Sequence, residues 1–313
     1  MVHFLGARHR ATREGGSISS SAVEACPMGL PRSGPSLASS FASRPVAVMN
    51  QPSLSDVRSA LHRIWIGEEE AQLRREDEKK ALELTALLEE IARRVPANDK
   101  KPFTLLDVAA GKSYVGLLAA ELLLGERASA QVISLERDPR RVELSRVAGA
   151  RVRTGARLEF IEGEVGRVEL WPQEVALAVG LHACGSASDE VIESAIQARA
   201  RALLLVPCCT SRAAWALPRA TRLAEELGIP RAAPVRRRFL QSVVDAERTL
   251  RLEAAGYRVE VVEFVAPRVT PHNVLYRAIL THDAGRSERA RAELLRLRGP
   301  SGATVRTTEG GQE

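Results

Sequence analysis

The chain has 313 residues, of which 45% are hydrophobic and 27% charged, a balance that excludes collagen, coiled coil and wholesale disorder. No run approaches the ~18 apolar residues of a membrane helix, so no membrane partner is expected. The net charge of +6 sits mostly in the tails, with five Arg and two Glu in residues 1–48 and six Arg and four Glu in residues 284–313, so charge permits a nucleic-acid partner without indicating one.

Residues 1–48 are rich in Ser, Gly, Pro and Arg and lack periodicity, which reads as a disordered extension. It is either an organelle transit segment or an extension upstream of a start at Met49. Residues 49–102 read as a helical cap and linker. Ser53 or Ser55 caps a first helix, and Ala71, Leu73, Leu82, Leu84, Leu87, Leu88 and Ile91 mark a second, with Glu68–Lys80 as a solvated face.

Residues 103–283 alternate strand and helix. Strands are expected at 104–108, 131–135, 157–161, 175–181 and 202–206. Helices are expected at 114–124, near 139–148, after Ser186 or Ser188, at 213–227 and at 235–255. A pair at 257–265 and 274–281 closes the series. This is an α/β pattern with a mostly parallel sheet and helices on both faces. Residues 284–298 read as a charged helix and 299–313 as a disordered tail.

The informative turn is Asp107-Val-Ala-Ala-Gly111-Lys-Ser-Tyr-Val-Gly116, where an apolar strand ends in an acid and small residues open a helix. Backbone N–H groups in such a turn approach a ligand closely. Glu136, at the end of the next strand, is placed to accept from two ribose hydroxyls. A phosphate loop needs Gly where Leu106 stands. A dinucleotide loop wants Gly where Ala109 and Ser113 stand. The remaining readings are an S-adenosylmethionine (SAM) loop, whose acid suits the cofactor ammonium, and a glycine that only closes a β-α turn.

His182 and Cys184 follow the fourth strand, and Cys208 and Cys209 the fifth; adjacent strands would gather them on one rim. His182 is either a base for methyl transfer or a residue that orients the loop. The cysteines read as small packing residues after Pro207. No metal is expected, because Cys-x-x-Cys spacing is absent. Four cysteines, with Cys26 in a tail, make no disulfide framework and suit a reducing, cytoplasmic setting.

The Asp107–Gly116 turn, Leu181-His-Ala-Cys-Gly185, Asp189 and Val206-Pro-Cys-Cys209, in that order, resemble a family of class I SAM-dependent methyltransferases. That family includes bacterial proteins of unassigned substrate and the methyltransferase domain of the glutathione-S-transferase C-terminal-domain-containing protein. A distant relative is the tRNA ribose methyltransferase of the acceptor stem. The resemblance covers about residues 55–283 and departs at Ala109, where the family usually has Gly. It implies a Rossmann-like, seven-stranded fold with SAM as cofactor. Asp107, Ala109, Gly111 and Ser113 would surround the methionine moiety, Glu136 the ribose, and Glu164 and Val165 the adenine. Leu181 and His182, with Cys184 and Cys208, would lie beside the transferable methyl. The expected function is methyl transfer, with RNA favoured narrowly over protein or small molecule as acceptor. A SAM-binding module that acts through a protein partner is the alternative.

Overall fold

In the computed structural model, residues 51–66, 74–207, 212–270 and 273–299 are described. Helix α1 (Leu54–Leu61) starts at a capping box in which Ser53 and Asp56 exchange hydrogen bonds with each other's backbone amides, and a π-helical turn, His62–Ile66, follows. Helix α2 (Arg75–Ala92) buries Leu84, Leu87, Leu88 and Ile91, which recur at helical spacing. Strand β1 (Phe103–Val108), α3 (Tyr114–Ala119), β2 (Ala130–Glu136), α4 (Pro139–Gly149) and β3 (Arg157–Glu162) come next. Then follow β4 (Leu177–Ala183), α5 (Ala187–Gln197), β5 (Ala202–Pro207), α6 (Leu217–Glu226), α7 (Pro234–Ala254), β6 (Tyr257–Glu263), β7 (Val274–Leu280) and α8 (Ala284–Arg298). The sequence reading of Ala71 and Leu73, and those of residues 1–48 and 300–313, lie outside the described residues.

The strands form one seven-stranded sheet in the order β3-β2-β1-β4-β5-β7-β6. Every neighbouring pair is parallel except the two that β7 makes, with β5 and with β6. The central strands are buried on both faces, which explains their unbroken apolar runs. Alternate residues feed opposite cores: Leu105, Val132, Val179 and Leu204 pack with α1, α2 and α3, whereas Leu106, Ile133, Ala178 and Leu205 pack with α5 and α7. The order reverses direction at β1, where β2 lies to one side and β4 to the other. Open α/β sheets bind ligands outside the carboxyl ends of strands at such a switch point.

Two elements depart from expectation. The helix expected through Leu124 is α-helical only to Ala119 and continues as a π-helical turn, Ala120–Leu124. The Ala120 carbonyl accepts from the Gly125 amide at 3.0 Å and from the Thr154 hydroxyl at 2.9 Å, so neighbours outside the helix stabilise the wider turn. The helix expected from Ala213 begins at Leu217. No helix among the described residues is long and apolar enough to cross a membrane.

Candidate active site

A cleft of about 340 Å³ opens at the carboxyl ends of β1 and β4. Its walls include Asp107, Ala109 and Gly111 from the β1 turn, Leu181 and His182 from β4, and Lys80 and Glu83 from α2. That volume lies in the range of small-molecule sites.

The turn is built from backbone conformations that side chains usually avoid. Ala109, Gly111 and Ser113 all have positive φ, at 51°, 60° and 56°. For Ala109 and Ser113 this left-handed geometry costs about 1–2 kcal/mol each, so the Ala109 side chain strains the turn. A Cβ placed on Gly111 would meet nothing within 4 Å, because the space before it is open. Glu136 fixes the turn from behind: its carboxylate accepts from the Gly111 amide at 2.7 Å and from the Asp138 amide at 3.0 Å.

Asp107 is buried at the base of the cleft and accepts from the Gly116 amide at 2.9 Å. Burial pushes its carboxyl up to about 8; the Gly116 hydrogen bond opposes the rise and the Glu136 charge adds to it. Gly116 suits this close approach, since a Cβ would stand 3.1 Å from Asp107 Oδ2 and from Val132 and would press on both.

His182 sits at an irregularity in the β4–β5 pairing, between Leu181 and Ala183, and has φ +60°. Its Nε2 lies 3.1 Å from Glu83 Oε2 on α2. Around the mouth, the Lys80 ammonium sits 4.3 Å over the Tyr114 ring, and Trp65 packs on Tyr114 at 4.6 Å and donates to the Lys112 carbonyl.

The structure thus brings Asp107, Ala109, Gly111, Leu181 and His182 onto one cleft, with Glu136 behind its wall. Ser113 is fully buried and its hydroxyl donates to Ser145 on α4 at 2.9 Å, so its side chain serves the wall and not the cleft. Glu164 is exposed and Val165 is buried, its carbonyl taken by Trp171 and Ser194; neither lines the cleft. Cys208 and Cys209 lie outside the described residues, as does His272.

Cys184 is exposed and disulfide-bonded. A bonded sulfur has no thiol proton to offer a reaction. Asp189, a motif residue, is structural. Arg248 donates to both its oxygens at 3.0 Å and Arg251 to one at 2.6 Å. Arg236 is buried and donates to the Ile229 carbonyl, so the Arg236–Arg238 run is no uniform basic patch.

Sequence reasoning did not single out Lys80, Glu83, Tyr114 or Arg141 as lining residues. Lys80 closes the charge run read as solvated, and only the docking of α2 turns it inward. Lys112, next to Gly111 in the turn, also lines the cleft.

Residues 79–214 match a family model described as a methyltransferase domain. The segment runs from α2 through β5 and so contains the whole cleft. The chain is 26% identical over 201 residues to the glutathione S-transferase C-terminal domain-containing proteins of Macaca fascicularis and Homo sapiens. That alignment takes in 57% of this chain and 30% of theirs, so the chain spans about a third of the length of these relatives. Among solved structures it resembles the magnesium protoporphyrin IX methyltransferase of Synechocystis PCC 6803, with 12% identity and a TM-score of 0.42 over 71% of this chain and 94% of that one. It also resembles the Podospora anserina methyltransferase PaMTH1, with 16% identity and a TM-score of 0.45 over 71% and 88%. The seven-stranded, mostly parallel sheet with β7 reversed is the Rossmann-like architecture expected of a class I methyltransferase.

Proposed function

We propose that the protein is a SAM-dependent methyltransferase whose cofactor lies in the cleft over the Asp107–Gly111 turn. The observation that carries this reading is the position of that cleft, at the switch point of a sheet segment that matches a methyltransferase-domain model. The cleft fits the cofactor in size and in chemistry. Asp107 takes one hydrogen bond among the described residues and is desolvated, so it gains from a cationic partner such as the cofactor ammonium. Open space before Gly111 lets the ligand reach the backbone. When bound, SAM supplies an electrophilic methyl on a positive sulfur. This chain's residues hold the donor, exclude water and aim the acceptor.

On this reading Asp107, Ala109 and Gly111 bound the methionine end, Glu136 serves the ribose and Leu181 and His182 face the methyl. Residues 103–283 are then the methyltransferase domain, with 49–102 as its cap. RNA is the favoured acceptor, and Lys80, Lys112 and Arg141 at the cleft suit an anionic one.

Calorimetry tests the cofactor. The full chain should bind SAM or its demethylated product, and Glu136→Gln, which keeps one uncharged acceptor oxygen and sets an NH2 donor against the second backbone amide, should lower affinity roughly tenfold. Binding of NADH or ATP with no response to SAM would overturn the reading. Tritium transfer from labelled SAM into the RNA, protein and small-molecule fractions of a cell extract then identifies the acceptor. Binding without transfer would favour a non-catalytic module.

A further inference from the structure

We propose that Glu83 and His182 form a carboxylate–imidazole dyad in which Glu83 is a positioning residue, and that the methyl acceptor carries a proton that it must lose, as a neutral hydroxyl does. The inference rests on the methyl-transfer reading. Three independent observations converge on His182. It occupies an irregularity in the strand pairing, and such bulges re-aim a side chain at the rim of a sheet. Its φ of +60° is one a β-carbon makes costly, and strain of this kind collects at functional sites. Its Nε2 is engaged by a carboxylate from a different element, Glu83 Oε2 at 3.1 Å.

Exposure separates the two members. The Glu83 side chain is 10% exposed and the His182 ring 34%. The carboxylate is therefore shielded behind the ring, while the ring reaches the cleft that both residues line. The geometry also selects a tautomer. A carboxylate accepts, so neutral His182 carries its proton on Nε2 and donates to Glu83. Nδ1 keeps its lone pair and has no hydrogen-bond partner among the described residues. A base with its lone pair on Nδ1 suits an acceptor with a proton to give, and it has no task beside a carboxylate acceptor that is already ionised.

The step balances as follows. The acceptor oxygen forms a bond to the methyl carbon as the carbon–sulfur bond breaks, and that bond's electron pair stays on sulfur, which becomes neutral. The hydroxyl proton passes to His182 Nδ1. The resulting imidazolium is paired with the Glu83 carboxylate, which stabilises the charge as it forms. Every charge is accounted for, and no further reactant enters.

The test has two readouts on the full chain. The first needs no acceptor. In ¹⁵N-labelled protein, an imidazole Nε2–H held by Glu83 should give a downfield resonance protected from water exchange. His182→Asn should abolish it, Glu83→Leu should lose its protection, and Glu83→Gln, which retains an acceptor oxygen, should shift it and keep it. The second is tritium transfer from labelled SAM into extract. His182→Asn should lower the rate ~10²–10⁴-fold, and Glu83→Leu roughly tenfold or more, with Glu83→Gln between Glu83→Leu and the wild type. SAM affinity by calorimetry should stay within about threefold of wild type in all three, because a base acts on the acceptor proton. If wild-type protein does not bind SAM, the methyltransferase reading falls. If it binds SAM but the Nε2–H resonance is absent, or is unchanged in Glu83→Leu, the dyad falls alone. Transfer by Glu83→Leu at the wild-type rate would overturn it as well.

Discussion

Two buried carboxyls show how far one residue's surroundings decide its chemistry. Asp107 has no cation beside it among the described residues, and burial raises its carboxyl from an ordinary 3.8 to about 8. Between those values the native chain holds a proton that the unfolded chain has released. Stability from this residue is therefore full in acid and falls as pH rises through the window, by at most about 1.4 kcal/mol per pH unit. Asp107→Asn keeps an oxygen for the Gly116 amide and cannot titrate. Urea unfolding should show the wild type losing stability relative to this variant from about pH 5 to about pH 8. A difference that stays flat across that range would show that Asp107 is charged throughout. Asp189 behaves in the opposite way. Burial disfavours its charge, but hydrogen bonds and charge from Arg248 and Arg251 more than offset that and hold its carboxyl below the usual range. Little of this contrast was legible in the sequence, since no cation stands beside either aspartate along the chain. The partners that distinguish them lie 59 and 62 residues away, on α7.

At the scale of elements, strands and helices followed closely from apolar runs and caps, because those depend on neighbours a few residues apart. The β1 turn was legible too: Gly111 after a strand that ends in an acid announces a positive φ and an open approach. The role of α2 was not. Its apolar spacing predicts a helix, yet spacing cannot say which edge of the sheet that helix will cover. Side-chain contacts with distant segments help to fix it: Glu90 meets Arg277 on β7 at 2.6 Å, and Glu83 meets His182. The positive φ of His182 also left no trace in the sequence, because Gly or Asn is the usual sign of such a turn. If α2 is a fixed wall of the cleft, loosening it should harm binding as well as stability. Leu87 on α2 is fully buried. Leu87→Ala should cost about 2–5 kcal/mol in chemical denaturation and also weaken SAM binding by calorimetry, through the altered placement of Lys80. Lost stability with unchanged affinity would show that α2 packs beside the cleft without shaping it.

Across the whole molecule, Asp189 joins α5 to α7 through two buried guanidiniums and accepts the Trp215 amide from the segment before α6. Removing the carboxylate leaves buried Arg251 paired with Glu247 alone among the described residues, and buried Arg248 with Asp245 4.0 Å away. Asp189→Ala should therefore cost about 3–5 kcal/mol by urea unfolding, and the wild-type contribution should vanish in acid as Asp189 takes up its proton. A loss below about 1 kcal/mol would mean that the guanidiniums find water instead. The order of the sheet carries a different consequence, for synthesis. Strand β7 is the last strand along the chain but lies inside the sheet, between β5 and β6. A growing chain can assemble β1 through β5 in turn, yet β5 keeps an open edge, and β6 has no place in the sheet, until residues 274–280 have left the ribosome. The same late strand carries Arg277, the partner of Glu90 on α2, 187 residues earlier. The helix that walls the cleft is thus made well before β7, and it gains this cross-sheet anchor only once that strand has emerged.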